Sequence, residues 1–347
     1  MTGKEFSVFV TILACIFVFG VLISIHEFGH FITAKLTDMR VDEFAIGFGP
    51  EIWQKQKGET LYSLRLLPLG GYNRIAGMDP DDPPDLDRGF NSKSVWARMF
   101  VILAGSLMNL LLPVFIFFVL FIVSGVNLPV NEPVIGEVVP GYAAAATGMQ
   151  KGDRILTING RAVEDWTGVR EQIAAAGTQP TQIVIERNGA RQTLTMTPAV
   201  NPDTGRPFIG VVSSVKRVHL GPGQAAITSV RATGNILKSM YMALYQMVTG
   251  KTGAELAGPV GVAKMTGEMA HQGFSTLLQF MALLSLNLAV INLLPLPALD
   301  GGHFFILLGE AITGRKLGKK AMLNIQKAGV IMILTVTILA TYMDFTR

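Results

Sequence analysis

The chain has 347 residues, a net charge of +4, a pI near 9.1 and a mean hydropathy of +0.42. Half of its residues are hydrophobic, which excludes an ordinary soluble protein and indicates several membrane spans. The small excess of basic residues requires no nucleic-acid partner, because Lys and Arg next to the spans account for it.

The first predicted element is a membrane helix over about residues 6–36. A hydrocarbon core about 30 Å thick requires about 20 apolar residues in a helix, and this run is long enough. Because the run is too long for a signal peptide and lacks a small-residue cleavage site, we expect it to be a retained span. It contains the only cysteine, Cys15, so an intrachain disulfide is excluded.

The end of this helix carries "HEFGH", with His26, Glu27 and His30. Helical residues four apart lie on one face, about 40° apart, so the two imidazoles can bind one zinc ion. Zinc lowers the pKa of bound water to about 7, and the glutamate can take its proton during attack on a carbonyl. A chance match is disfavoured, because each ionisable residue in a span costs at least ~2.5 kcal/mol. The motif therefore predicts a wet zinc site.

After the first span, about residues 40–76 are predicted to form two or more short strands, because "VDEFAIGFGP" and "ETLYSLRLLPLGGYNRIAG" alternate or run apolar between glycines. Such backbone near a membrane must be covered by protein or line a wet cavity. A strand edge there can pair with an unwound substrate, and a plain cytoplasmic hairpin is the alternative. The stretch "DPDDPPDLDRG" that follows is predicted to be a flexible linker.

A second span is predicted up to about residue 125, and a small α+β module over residues 126–212. "GDRILTINGRAV" and "QIVIERNGARQTLTMTP" predict two hairpins with Asn-Gly turns, and "WTGVREQIAAAG" predicts a helix that ends at Gly177. "AAAATGMQKGDRILTINGRAVEDW" resembles a PDZ domain. Such a domain binds a peptide as an added strand, here expected between residues 134–139 and 169–176. A spacer that binds no peptide is the alternative.

Residues 213–272 are predicted to be a helical linker, because "ITSVRATGNILKSMYMALYQMVTG" has the apolar spacing of an amphipathic helix on the membrane surface or the PDZ-like module. The second membrane half then covers residues 273–347, with spans at about 274–294 and 326–343.

The third span ends in "NLAVINLLPLPALDGGHFF", in which Pro295 and Pro297 must break the helix. A catalytic zinc needs a third protein ligand, and Asp300 is the preferred candidate, because the first and third spans run in the same direction and bring it to the depth of His30. A helix N-cap is the alternative role for Asp300. His303 is expected either to orient Asp300 or to lie at the interface.

Basic residues predict the orientation of the spans. The loop between spans one and two and the turn between spans three and four are rich in Lys and Arg, so both are expected to be cytoplasmic. Four spans then place both termini and residues 127–272 on the opposite side.

The pair of motifs, "HEFGH" and "NLLPLPALDGG", resembles the site-2 protease family of intramembrane zinc metalloproteases. The single PDZ-like module makes the chain most similar to the bacterial regulator of sigma-E protease group. The resemblance implies a multi-pass α-helical membrane protein with about four transmembrane helices, a cytoplasmic membrane-associated β element and one extracytoplasmic α+β PDZ domain.

The resemblance also implies residue roles. The implied site comprises the zinc ligands His26, His30 and Asp300, the catalytic acid/base Glu27, and the substrate-binding residues Asn287 and Asn292. "AGSLMN" resembles the Ala-Gly-Pro-x-x-Asn motif of the family's second span, with Ser106 in place of proline. We expect this segment to pack closely against a neighbouring helix.

The implied reaction is hydrolysis of a peptide bond in the transmembrane segment of a single-span protein, in the inner membrane of a bacterium. Implied substrates are anti-sigma factors and remnant signal peptides, with the PDZ-like module as a docking site or size filter. The alternative is a membrane PDZ scaffold without catalysis. A metal-dependent transporter is disfavoured, because "VFVTILACIFVFGV" in the outer half of the first span is almost wholly apolar.

Overall fold

The computed structural model describes residues 3–79, 82–83, 86–202, 204–250 and 257–346. The chain divides into two compact units. Val123–Leu220 is called the β-rich unit, and Met1–Ile122 with Gly221–Arg347 is called the membrane unit. Part of the predicted acidic linker (residues 80, 81, 84 and 85) and part of the predicted helical linker (residues 251–256) lie outside the described residues.

The helices, in chain order, are α1 (Gly3–Leu36), α2 (Val95–Val123), α3 (Ala143–Ala146), α4 (Trp166–Ala176), α5 (Pro222–Val248), α6 (Pro259–Gln272), α7 (Phe274–Asn292), α8 (Asp300–Thr313) and α9 (Lys319–Thr346). The strands are β1 (Val41–Lys57), β2 (Thr60–Ile75), β3 (Val126–Pro129), β4 (Ile135–Val138), β5 (Arg154–Ile158), β6 (Arg161–Ala162), β7 (Thr181–Arg187), β8 (Ala190–Met196), β9 (Ala199–Val200), β10 (Pro207–Phe208), β11 (Val211–Ser213) and β12 (Val215–Val218).

Four of the described helices, α1, α2, α7 and α9, are long and apolar enough to cross a membrane. Three of them share one apolar core, in which Val18 of α1, Phe117 of α2 and Met281 of α7 are buried together. Helix α7 ends at Asn292, just before the two prolines, as predicted. The last helix begins at Lys319 rather than near residue 326, because its first turns are polar and escape a search for apolar runs.

The predicted linker differs from the structure in its second half. Helix α5 is the expected amphipathic helix, and Ala232 and Ile236 pack it against the core of α1, α2 and α7. Helix α6 also belongs to the bundle, because it packs against α1, α7 and α9. Gly267 allows this approach, since an added Cβ would overlap the Thr11 side chain of α1. Residues 259–272 are therefore part of the membrane unit's helical packing.

Strands β1 and β2 form a sheet in which each strand folds back on itself. Phe44 has two register partners, Asn73 and Tyr62, so residues 43–46 lie between two parts of β2. The sheet therefore contains four short segments in the order 51–57, 60–65, 41–46 and 71–75. Irregular register at Gly47 and Gly49, whose φ values of +93° and +84° suit glycine, marks the bend in β1. This agrees with the prediction of several short strands.

The β-rich unit contains the hairpins and the helix that its sequence predicts. Strands β6, β5, β7 and β8 form one antiparallel sheet in that order. Both Asn-Gly pairs have positive φ at both residues, as their hairpin turns require. Helix α4 ends at Gly177 and packs Val169 and Ile173 onto a core of sheet isoleucines. The unit extends past the predicted end at residue 212, because β12 pairs with β3.

The predicted peptide groove beside residues 134–139 is wrong. Strand β4 is paired with β11 along one edge. Along its other edge, the Ile135 N–H donates to the Asp153 carbonyl at 2.9 Å, and the Ile135 carbonyl accepts from the Gly152 N–H at 2.8 Å. One edge of β4 is therefore taken by β11 and the start of the other by residues 152–153, and α4 packs against β5 and β10, so the structure does not form the predicted groove between residues 134–139 and 169–176.

Candidate metal centre

Three side chains from the two ends of the chain converge in the membrane unit. His26 and His30 lie on α1, and Asp300 is the first residue of α8. The His26 Nε2 atom lies 3.2 Å from His30 Nε2. The Asp300 Oδ2 atom lies 3.3 Å from His26 Nε2 and 3.6 Å from His30 Nε2. The structure thus brings together the three residues that the sequence predicts as zinc ligands.

The spacing of these atoms fits a zinc ion. Zinc prefers tetrahedral N and O ligands at about 2.0 to 2.2 Å, which separates neighbouring ligand atoms by about 3.3 to 3.6 Å. The three observed separations of 3.2, 3.3 and 3.6 Å match this range. Two imidazoles and one carboxylate also form a donor set that catalytic zinc sites use, with a fourth position left for water.

The turn before α8 brings Asp300 to the histidines. Ala298 has a φ of +72° in this turn. Gly301 and Gly302 lie against the backbone of the same turn, where an added Cβ would overlap the Leu294 and Leu296 carbonyls. The N-cap position of α8 belongs to Leu299, so the alternative role of Asp300 as an N-cap is wrong. Its carboxylate is directed to the histidines instead.

Helix α2 orients the proposed ligands from behind. The His30 Nδ1–H donates to the Val101 carbonyl at 2.8 Å, which leaves Nε2 with its lone pair towards the centre. The Ser106 hydroxyl donates to Asp300 Oδ2 at 3.1 Å. An added Cβ at Gly105 would overlap the His30 ring. The segment predicted for close helix packing therefore packs against the ligands themselves.

The second histidine is oriented by an amide of the same helix. His26 Nδ1 lies 3.2 Å from the Asn109 amide group, and Asn109 Oδ1 is buried without a donor among the described residues. With the amide turned so that Oδ1 faces the ring, His26 donates its Nδ1–H and keeps Nε2 free. Sequence reasoning missed these roles of Ser106 and Asn109, although polar residues in an apolar span are a usable signal.

The Glu27 carboxylate faces the β sheet. The Asn73 amide nitrogen donates to Glu27 Oε2 at 2.7 Å and to the Glu27 main-chain carbonyl at 2.6 Å. Gly71 permits this approach, since an added Cβ there would lie 3.3 Å from Glu27 Cγ. The sequence predicted the sheet but not this contact. The available signal was an asparagine directly after "GGY" near the end of β2.

The remaining predicted residues lie outside this cluster. Asn287 is exposed on α7, and Asn292 is the last, partly buried residue of that helix. Neither amide has a hydrogen-bond partner within the described parts of the chain. The His303 ring contacts the Leu299 carbonyl at 3.2 Å and the Gln326 amide at 3.3 Å. Of the two alternatives for His303, the orienting role is therefore wrong, and Ser106 holds Asp300.

A buried ion pair anchors the helix that carries Asp300. Arg98 of α2 contacts Glu310 of α8 at 2.5 and 3.0 Å, and only 5% of the arginine side chain is exposed. Its guanidinium also lies 6.0 Å from the centre of the Phe90 ring. The pair joins residues 212 positions apart, and sequence reasoning did not find it.

Comparison with known proteins identifies the family. The family model for peptidase family M50 matches residues 14–336. A Clostridium acetobutylicum relative, named as a candidate zinc metalloprotease, is 36% identical over 97% of both chains. The regulator of sigma-W protease RasP of Bacillus subtilis is 29% identical over 97% of this chain and 98% of its own. A solved PDZ domain of an SdrC-like protein from Listeria monocytogenes covers 24% of this chain and 87% of its own at 20% identity, with a TM-score of 0.22.

The family match spans both motifs, the second and third candidate membrane helices, and the greater part of the first and the last. Relatives named zinc metalloprotease RasP, from Geobacillus kaustophilus and Bacillus licheniformis, match 97% of this chain at 31% and 30% identity and 98% and 99% of their own lengths. The chain therefore belongs to peptidase family M50 and is an intramembrane zinc metalloprotease.

Proposed function

We propose that the protein hydrolyses a peptide bond in the transmembrane segment of single-span membrane proteins, with His26, His30 and Asp300 as zinc ligands and Glu27 as the general acid/base. One observation carries this proposal. The three ligand atoms lie 3.2 to 3.6 Å apart on helices of the membrane unit, and the Glu27 carboxylate neighbours the first ligand on α1.

When bound, zinc supplies a Lewis acid that polarises a carbonyl and lowers the pKa of water to about 7. Glu27 takes a proton from the attacking water and delivers it to the leaving amide nitrogen. Val101, Ser106 and Asn109 keep the ligand side chains in one orientation, so that the ligands need no rearrangement during the reaction.

A substrate helix hides its carbonyls and must unwind before attack. Segment 71–75 of β2 pairs along one edge with residues 41–46 and with no other strand among the described residues. This open edge can hold an extended substrate by strand addition. Asn73 belongs to the segment and touches Glu27, which supports substrate binding beside the catalytic carboxylate. The free amides of Asn287 and Asn292 supply further donors and acceptors for the unwound backbone.

The name of a relative supports the proposed substrate class, and the basic loops support the proposed orientation of the protein in the membrane. A relative with 29% identity is named regulator of sigma-W protease, which supports anti-sigma-factor-type substrates, and remnant signal peptides have the same single-span chemistry. The basic loops support an active site near the cytoplasmic side of the bacterial inner membrane and an extracytoplasmic β-rich unit acting as a PDZ domain. We keep the four proposed domains at about 1–125, 126–212, 213–272 and 273–347, with two changes: the PDZ domain extends to the end of β12, and α6 packs within the membrane unit.

Peptide docking on the β-rich unit would use a different strand from the one expected. Strand β11 pairs with β4 on one edge and with no other strand in the described part of the unit. The preceding strand, β10, packs against α4. A peptide added along β11 would therefore lie close to α4, which is the strand-and-helix arrangement that PDZ domains use.

The decisive experiment measures cleavage of a single-span model substrate in reconstituted vesicles. We expect Glu27→Gln to lower turnover about 10²- to 10⁴-fold while zinc content stays near one ion per chain. The matched control is Glu268→Gln, which changes an exposed glutamate on α6 and should leave turnover unchanged. Equal turnover by wild type and Glu27→Gln would overturn the proposal and favour a scaffold without catalysis.

A further inference from the structure

Asn73 makes two hydrogen bonds to the proposed catalytic residue. Its single Nδ2 group donates to the Glu27 main-chain carbonyl at 2.6 Å and to the Glu27 carboxylate at 2.7 Å. The contact joins residues 46 positions apart and connects the edge segment of the sheet to the helix that carries the zinc motif. A long glutamate side chain held at both its backbone and its carboxylate has few orientations left.

The carbonyl oxygen of the Asn73 side chain reduces the stability of the fold. Asn73 Oδ1 is buried and has no hydrogen-bond donor among the described residues. An orphaned buried carbonyl oxygen is unfavourable, and a leucine of similar size would fill this space without that penalty. Packing alone therefore gives no reason for an amide at this position.

The amide cannot be reversed to relieve this cost. Reversal would place Oδ1 against two oxygen atoms of Glu27, which repel it, in place of Nδ2 and its protons. The two acceptors of Glu27 therefore determine how the Asn73 amide is oriented. Glu27 Oε2 accepts the hydrogen bond from Asn73, and Glu27 Oε1 is left for proton transfer.

The approach of the strand also depends on residues next to Asn73. An added Cβ at Gly71 would lie 3.3 Å from Glu27 Cγ and would overlap the Ala45 carbonyl region of the neighbouring segment. The chain therefore has no side chain at Gly71, where the strand passes close to the Glu27 side chain. Two positions later it has the amide that reaches the carboxylate.

We propose that Asn73 is a positioning residue that holds the Glu27 carboxylate in its catalytic orientation. Because Asn73 lies in the open edge segment, it also couples the position of the sheet, and of a substrate strand on it, to that of the general base. This inference rests on the proposed role of Glu27 and adds a residue that acts through it.

The test compares Asn73→Leu, Asn73→Asp and Asn73→Gln with wild type in the vesicle cleavage assay. We expect Asn73→Leu to lower kcat about 10- to 100-fold, as loss of an orienting partner does, with KM, zinc content and Tm nearly unchanged. Asn73→Asp should lower kcat further, because a second carboxylate repels that of Glu27. Asn73→Gln retains the donor and should recover part of the lost kcat.

The matched control is Asn91→Leu. Asn91 also donates from its amide nitrogen to a backbone carbonyl, that of Gly77, at 2.6 Å, but it does not contact the site. This variant should retain wild-type kcat. If Asn73→Leu had wild-type kcat, or if its loss came with equal losses of zinc and Tm, the positioning role would be refuted.

Glu27→Gln is measured in parallel to separate the two proposals. If Glu27→Gln is inactive and Asn73→Leu is fully active, only the role of Asn73 fails. If Glu27→Gln is as active as wild type, the proposed function fails and the role of Asn73 with it.

Discussion

The β-rich unit and the membrane unit reach their folds by different means. In the β-rich unit, Asn159-Gly160 and Asn188-Gly189 form turns between neighbouring strands, and the core isoleucines lie on those strands. In the membrane unit, the cluster of proposed zinc ligands joins His30 to Asp300, some 270 positions away. Local sequence signals therefore specify the hairpins of the first unit, whereas contacts between distant segments form the proposed site of the second.

Buried ion pairs show the same difference. Asp153 and Arg187 of the β-rich unit are 34 positions apart and 2.7 Å from each other. Burial raises the pKa of Asp153, but hydrogen bonds from Arg187 and the Gln150 N–H outweigh it and hold that pKa below its ordinary value. In the membrane unit, Arg98 and Glu310 are 212 positions apart and join α2, which contacts the proposed ligands, to α8, which carries Asp300.

The largest expected effect comes from removing a ligand that only the tertiary fold supplies. Asp300→Ala should lower cleavage at least about 1,000-fold, because zinc contributes several kcal/mol of transition-state stabilisation, and elemental analysis should show zinc falling from about one ion per chain. The control is Asp87→Ala, an exposed aspartate whose loss should change neither quantity. Full zinc occupancy in Asp300→Ala would mean that another residue completes the site.

The two ion pairs give the second comparison. Arg98→Met leaves the Glu310 carboxylate buried without its partner, which should cost about 3 to 5 kcal/mol and loosen α8. Arg187→Met should lower the free energy of unfolding by less, because 22% of the Arg187 side chain is exposed. Thermal inactivation and zinc retention are measured for both variants. Only Arg98→Met should release zinc at a lower temperature than wild type.

The double variant Arg98→Met/Glu310→Leu is the control for this pair. It removes both charges and should recover most of the lost stability. If it were as unstable as Arg98→Met, lost packing rather than an unpaired charge would be the cause.

A smaller effect is expected from one added methyl group on α2. The new methyl group in Gly105→Ala would overlap the His30 ring. Such overpacking destabilises a fold by about 1 to 3 kcal/mol, and here it should also turn the His30 ring away from the proposed zinc position. The rate of zinc loss to a chelator should rise. Gly309→Ala on α8 has no atom within 4 Å of its new Cβ and should leave that rate unchanged. Equal rates for Gly105→Ala and wild type would contradict the close contact between α2 and His30.

The smallest effect is expected from lowering the pH. Ion pairs among Lys35, Asp38, Glu59, Arg88 and Lys93 connect the turn between β1 and β2 to the end of α1. Hydrogen bonds from Lys93 and Arg88 hold the pKa of Asp38 below its ordinary value of 3.8, and bonds from Lys35 and Arg88 hold that of Glu59 below 4.5. A depressed folded-state pKa stabilises the fold above the ordinary value, and this stabilisation is lost as the pH falls through the folded-state pKa. The turn should therefore loosen only below about pH 4.

A spin label at position 57, in Lys57→Cys with Cys15→Ser, measures this loosening by electron paramagnetic resonance. Its mobility should increase as the pH falls from 5 to 3. With Asp38→Asn and Glu59→Gln added, the label should be mobile at every pH. A label at Arg161→Cys in the β-rich unit, which has no part in this network, should not respond. A response equal at both positions would indicate general acid unfolding.

Much of the architecture was predictable because its signals are local. Apolar run length identifies α1, α2 and α7, and Pro295 marks the end of the third span. The convergence of His26, His30 and Asp300 was predictable because an i, i+4 histidine pair in lipid and a lone aspartate after a broken helix are each chemically unusual. The polar start of α9 was missed, because hydropathy detects the apolar part of a helix and not its ends.

Other features depended on pairings that no local pattern encodes. The groove beside residues 134–139 was predicted wrongly, because the sequence of a strand does not show which segments pair with it. The fold-back of β1 and β2 also depends on which segments become neighbours. Helix α6 was taken for a linker, although Gly267 packs it against α1.

The sequence by itself determined the apolar spans, the turns of the β-rich unit and the chemical identity of the proposed zinc ligands, since each depends on residues close together in the chain. Only the tertiary structure decided that Ser106 and Asn109 orient those ligands, that Arg98 anchors α8, and that Asn73 holds Glu27. Hydrogen bonds and ion pairs act over about 3 Å. Which distant groups come that close is known only after the helices and the sheet have packed.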